Sequence, residues 1–153
     1  MSPDRYYSKS MTQAPLDNWH TFGLFDLPEY CDERGALGVV EATDRALFPF
    51  DVKRIFWIHD VPPGQTRGCH AHRSCAEVLV ALKGSMQAHV TDGQHSATYL
   101  LDNPKRALYI PAMVWCSFTE FTPECLCLCL ASHPYEHEGY INSLPDFMKA
   151  VKR

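Results

Sequence analysis

The stretch Gly64-Gln65-Thr66-Arg67-Gly68-Cys69-His70-Ala71-His72, with Glu77 and Gly84 beyond it, decides how the rest of the chain is read. His70 and His72 stand two apart, so on an extended strand both imidazoles project from one face. If that face is the inside of a barrel, the pair meets in a pocket, and imidazoles change charge near neutral pH. Before the pair, Val61-Pro62-Pro63-Gly64 is turn sequence; after it, Ala76–Leu82 is an apolar run of strand length ended by Lys83-Gly84-Ser85. The pair therefore sits on a strand in a succession of short strands.

Working outward, further strand-type segments are Arg54–His59, Met86–Thr91, Ala97–Leu101, Ala107–Ile110, Trp115–Glu120 and Cys125–Ala131. Asp92-Gly93 between alternating runs signals a hairpin, and Asn103-Pro104 a turn. Many short strands at this spacing predict an all-β closed barrel or jelly roll. Only the tail reads as helix. Ser143 can cap it, Pro145 suits its first turn, and Leu144, Phe147, Met148 and Val151 share one side.

The chain has 153 residues, which predicts one domain able to bury a core without staples. Residues 1–19 read as a flexible polar arm and 20–153 as the single domain. A formal net charge of −4 leaves no basic footprint for a nucleic-acid partner. No apolar run approaches the roughly 18 residues needed for a membrane helix, and no secretory signal is expected at the start. Seven cysteines are an odd number without disulfide-scaffold spacing. Cys125, Cys127 and Cys129 alternate with Leu126, Leu128 and Leu130, so three sulfurs share a strand face. They read as small buried hydrophobes rather than as a metal-holding cluster. A reducing, cytoplasmic setting is expected.

The spacing Gly64, five residues, His70-x-His72, four residues, Glu77, six residues, Gly84 resembles the first motif of the cupin superfamily. A second cupin motif is matched only by Pro111; Met113 and Cys116 stand where its glycine and histidine would be. A closer similarity, to the nucleotide-sugar 3,4-ketoisomerases, runs from about residue 22 to 148. It is carried by Asp32-Glu33-Arg34-Gly35, Asp60-Val61-Pro62, Arg67-Gly68-x-His70-Ala71-His72, Leu108-Tyr109-Ile110-Pro111 with Trp115, and Tyr140-Ile141, in that order.

That resemblance implies a small antiparallel cupin barrel with a short C-terminal helix, a homodimer working without cofactor. It implies movement of a keto group from C4 to C3 of dTDP-4-keto-6-deoxy-glucose through an enediolate. By the same resemblance His72 would be the base at C3, and His70 would assist. Arg67, Arg54 and Lys53 are expected on the diphosphate, Tyr109 and Trp115 on thymine or sugar. Three residues depart from the family: Glu77 replaces its usual Gln, His59 an aromatic, and Cys116 a His or Arg near the sugar's C4. Those departures sustain two alternatives. One is a metal-dependent cupin using His70, His72 and Glu77 with Cys116 or water, a ligand set of the two-His, one-carboxylate kind. The other is a non-catalytic sugar-nucleotide binding cupin.

Overall fold

A computed structural model describes residues 8–9 and 19–152. Every strand pairing in it is antiparallel, and two five-stranded sheets lie face to face. In chain order the strands are β1 (Ser8–Lys9), β2 (Gly23–Asp26), β3 (Glu29–Asp32), β4 (Gly35–Gly38), β5 (Arg54–His59), β6 (Arg67–His72) and β7 (Glu77–Lys83). Then come β8 (Met86–Thr91), β9 (Ser96–Leu101), β10 (Arg106–Ile110), β11 (Trp115–Thr119), β12 (Leu126–Ala131) and β13 (Tyr140–Ile141). One sheet runs β2-β10-β7-β12-β5, the other β13-β6-β11-β8-β9, and β1-β3-β4 form a small third sheet. The all-β expectation holds, with strand bounds within a residue of those predicted. Most of the predicted flexible arm lies outside the described residues. Of its span, Ser8–Lys9 pairs with Cys31 and Tyr30, and Trp19 packs edge-on against Phe25 and Tyr109 at 5.2 and 5.4 Å.

Between the two large sheets lies the main core. Leu79, Ala81, Cys127 and Cys129 face Met86, Ala88, Val90, Cys116 and Phe118 across it. Each large side chain removed from water there contributes roughly 1.5–3 kcal/mol. The cysteine ladder is settled by this packing: Cys125, Cys127 and Cys129 are free and buried, with the sulfurs facing inward. Leu130 points the other way, into a second cluster where Phe25, Phe48, Val78, Val80 and Tyr109 cover the outer face of the first sheet. Strand β7 is apolar on both faces because it lies between these clusters.

On the outer face of the second sheet sits the predicted helix, α1 (Leu144–Val151), with Phe147 buried against Ala71 and Ile141. The Ser143 hydroxyl accepts from the Asp146 N–H at 3.4 Å, and Pro145 occupies the first turn. The Asp92-Gly93 hairpin is present but longer than a two-residue turn. Thr91 pairs with Ser96, and the Asp92 carboxylate accepts from the backbone N–H groups of Gln94 and His95 at 2.8 and 2.7 Å.

Candidate active site

A kink in β6 builds the site. Arg67 and His70 are three apart and would face opposite sides of a regular strand. Here Gly68 and Cys69 both take left-handed backbone, with φ of 78° and 61°, and the register with β11 slips between Cys116 and Ser117. Arg67 then pairs with Phe118 and His70 with Cys116. Since Phe118 and Cys116 face the core, this β-bulge turns Arg67, His70 and His72 inward together. Gly68 is required at its position. A Cβ there would come within 3.1 Å of the Cys116 carbonyl oxygen and of the Phe118 ring.

His70 and His72 lie with ring centroids 4.9 Å apart. His72 is buried, and its Nε2 lies 3.0 Å from Oε1 of Glu77, which is itself only 3% exposed. That oxygen lies off the direction of an Nε2–H, so it is a close charge neighbour rather than an aligned hydrogen-bond partner. Glu77 faces inward because it shares strand parity with Leu79 and Ala81. Burial lowers the pKa of His70 below its ordinary 6.5; the neighbouring His72 adds to this and the Glu77 carboxylate opposes it. His70 is thus a neutral imidazole at neutral pH, open to a cavity of about 200 Å³ lined also by Arg67, Glu77, Phe118 and Tyr140. Next to it runs an open groove of about 480 Å³ between Trp57, His59, Pro62, Gln65 and Arg67. Arg67 borders both spaces.

The predicted residues divide by strand parity. Cys116 is interior, its sulfur 3.5 Å from the His70 carbonyl, and burial raises its pKa well above the usual thiol range, with Glu77 adding to the effect. His59 is exposed at the groove, its Nδ1 2.7 Å from the Asp60 carboxylate. Arg54 belongs to the histidine cluster rather than to the groove. Its Nη2 is 3.9 Å from Glu77 Oε1, and its guanidinium lies over the rings of Phe56 and Tyr135. Lys53 is exposed and lines neither space.

Two expectations are corrected. Tyr109 is 6% exposed and packs with Phe50 and Trp19 on the outer face of the first sheet, away from the cavity. Trp115 points to the outer face of the second sheet and lies against Phe147 of α1, 5.9 Å between centroids. Both stand one position out of phase with the inward residues of their strands.

One inward residue was given no role from the sequence. Tyr140, on β13, is in register with His72, and its ring centroid lies 4.5 Å from that of His72 and 5.0 Å from that of His70. His70, His72 and Glu77 each bring a donor atom within 4.8 Å of the others, a fit for a three-ligand divalent metal site. Cys116, the fourth ligand considered, stands outside that group among the described residues.

Residues 20–152 match the family model FdtA: WxcM-like, C-terminal. A TDP-4-oxo-6-deoxy-alpha-D-glucose-3,4-oxoisomerase of Aneurinibacillus thermoaerophilus is 34% identical over 130 residues, covering 85% of this chain and 92% of the relative. The crystal structure of QdtA, a sugar 3,4-ketoisomerase of Thermoanaerobacterium thermosaccharolyticum in complex with TDP, superposes with a TM-score of 0.81 at 30% identity. That match covers 87% of this chain and 96% of the other. The rmlC epimerase of Mycobacterium tuberculosis shares the fold, with a TM-score of 0.71 at 18% identity over 90% of this chain and 77% of its own. The barrel is therefore of the cupin, RmlC-like type.

Proposed function

The chain belongs to the FdtA (WxcM-like, C-terminal) family, and from that membership we propose that it is a sugar 3,4-ketoisomerase acting on dTDP-4-keto-6-deoxy-glucose. The single observation that carries the site assignment is the inward pair His70 and His72, with the Glu77 carboxylate 3.0 Å behind His72. The C3 hydrogen of a 4-keto sugar is acidic because the carbanion left behind is an enolate. His72 removes it, the imidazolium formed exchanges its proton with solvent and protonates C4, and Glu77 stabilises that imidazolium between the two steps, as an acidic partner does for a histidine base. Neutral His70 stands beside it to assist. Arg67, at the junction of cavity and groove, holds the diphosphate by bidentate guanidinium contacts. The sugar then lies toward the histidines and the nucleoside along the groove beside Trp57 and His59.

A homodimer, a cytoplasmic setting and a place in deoxyaminosugar formation complete the proposal. The dimer is supported by Ile55 and Trp57, 57% and 59% exposed on the outer face of edge strand β5. No described helix is long and apolar enough to cross a membrane.

The test is incubation with dTDP-4-keto-6-deoxy-glucose in D₂O, with and without chelator, followed by NMR. Deuterium at C4 of a 3-keto product, unchanged by chelator, is the expected result. His72→Asn is expected to lower the rate by about 10²–10⁴-fold, the usual worth of a general base. An active His72→Asn protein would refute the base assignment; loss of wild-type activity on chelation would favour the metal-dependent reading.

A further inference from the structure

The isomerisation moves two hydrogens, and the histidine pair accounts for one. Turning a 4-keto, 3-hydroxy sugar into its 3-keto, 4-hydroxy isomer carries hydrogen from C3 to C4. It also strips a proton from the O3 hydroxyl and places one on O4. That second transfer needs a group facing the two oxygens that can give one proton and accept another. Cys116 is poorly suited, since its buried thiol faces the His70 carbonyl.

Tyr140 has the right surroundings. It stands across from His72 in the strand register, touches both imidazoles edge-on or tilted, and lines the same cavity as His70, Arg67 and Glu77. The Arg54 guanidinium lies near its hydroxyl, a positive charge that opposes the effect of burial on it. A guanidinium has no acceptor, so it cannot take the phenol hydrogen, which stays free to point elsewhere. Burial is the main influence on the hydroxyl and holds its pKa above the usual 10, so the group rests in its protonated, donating form.

We propose that Tyr140 is a catalytic residue that relays the hydroxyl proton from O3 to O4. As His72 takes the C3 hydrogen, the C3–H electron pair becomes the C3=C4 bond and the carbonyl pair moves onto O4, giving an enolate that takes the phenol proton in the step that follows. Arg54 stabilises the phenolate so formed. When the His72 imidazolium protonates C4, the enediol's C3=C4 pair makes that C–H bond. The O3–H pair closes the C3 carbonyl, and the O3 proton returns to Tyr140. Phenol and imidazole end as they began, with no oxidant or reductant consumed. The inference rests on the ketoisomerase reading.

The experiment compares wild type, Tyr140→Phe and His72→Asn on dTDP-4-keto-6-deoxy-glucose in D₂O. It follows two signals: deuterium entering C3 of unconverted substrate, and 3-keto product. Loss of a proton-transfer group at Tyr140 is expected to cut product formation about 10²–10³-fold, while C3 exchange stays within about fivefold of wild type. His72→Asn is expected to lose both. Tyr140→Phe removes one oxygen and keeps the ring, so its melting temperature is expected to stay close to that of wild type. If it does not fold, Arg54→Lys carries the test, with the same split expected. Exchange and product falling in parallel, or neither falling, would overturn the relay. A wild-type protein that forms no 3-keto product would sink the ketoisomerase reading itself, and the wild-type control tells that failure apart.

Discussion

Replacing Gly68 with alanine strikes the feature on which the site is built, and its cost can be worked from the geometry. Gly68 has φ of 78°, and a left-handed residue with a Cβ costs roughly 1–2 kcal/mol. The new methyl also meets the Cys116 carbonyl oxygen and two Phe118 ring carbons at 3.1 Å. Phe118 is 3% exposed and packed in the core, so it has little room to yield, and overpacking of this kind costs about 1–3 kcal/mol. A sum near 3 kcal/mol corresponds to a fall in melting temperature of about 6–12 °C for a domain this size. Relief by straightening the bulge would turn Arg67 out of phase with His70. Loss of one charge-assisted contact, about 1.5–3 kcal/mol, would then raise KM roughly tenfold or more. Cys69→Gly is the control. Cys69 also holds a left-handed φ, of 61°, so glycine there is expected to be neutral or slightly stabilising. Thermal melts and steady-state kinetics on both variants decide the matter. A Gly68→Ala protein melting within about 2 °C of wild type with unchanged KM would refute the reasoning, since it would mean that neither the bulge nor its tight packing is needed.

Two further outcomes follow from the burial pattern. The exposed Cys31 and Cys69 are expected to react quickly with a bulky thiol reagent at pH 8, and the five buried cysteines only on unfolding. Burial pushes the Cys125 thiol up to about 11, and interaction with the neighbouring Cys127 thiol together with burial pushes Cys129 well up; more than two fast-reacting thiols in native protein would contradict this. For pH, His70 binds protons more weakly in the folded state than its ordinary 6.5. Between the two values the unfolded chain carries more protons, so the stability His70 contributes is present above pH 6.5 and is lost as pH falls through the lower, folded value. Urea midpoints from pH 5 to 8 should therefore fall on the acid side more steeply for wild type than for His70→Asn, and equal slopes would count against the assignment.

The sequence showed strands well where alternation was sharp. Trp115–Thr119 and Leu126–Ala131 were legible because one face is apolar throughout, and the helix because its cap and proline stand in the right order. Spacing failed where it counted positions along a regular strand. Arg67 shares a face with His70 only through two consecutive left-handed residues, and nothing in Arg-Gly-Cys-His announces that both take that form. Tyr109 and Trp115 misled for the complementary reason. An aromatic on a half-buried strand reads the same whichever face is covered, and here the outer faces are covered too, by the segment around Phe48 and by α1. Tyr140, although part of the resemblance, was given no role because β13 is two residues long and follows a short 3-10 turn, His137–Gly139, with no alternation to show which way its side chain faces.

The glutamate at position 77 invites a metal reading, and the charges around it weigh against one. A single oxygen, Oε1, faces both His72 Nε2 at 3.0 Å and Arg54 Nη2 at 3.9 Å. At an effective dielectric near 20 the attraction across 3.9 Å is about 4 kcal/mol before desolvation is charged against it. A divalent ion on Glu77 would have to displace the guanidinium from that oxygen or sit close to it, with a repulsion of up to twice that size. Proton transfer makes a smaller demand. It places one positive charge on an imidazole for the life of the enediolate, next to a carboxylate whose partner never has to leave. Glu77 faces Arg54 and His72 through the same oxygen, so it can stabilise an imidazolium without losing its contact with the guanidinium. The carboxylate that departs from the family's usual glutamine thus fits a base that must gain and lose one proton per turnover.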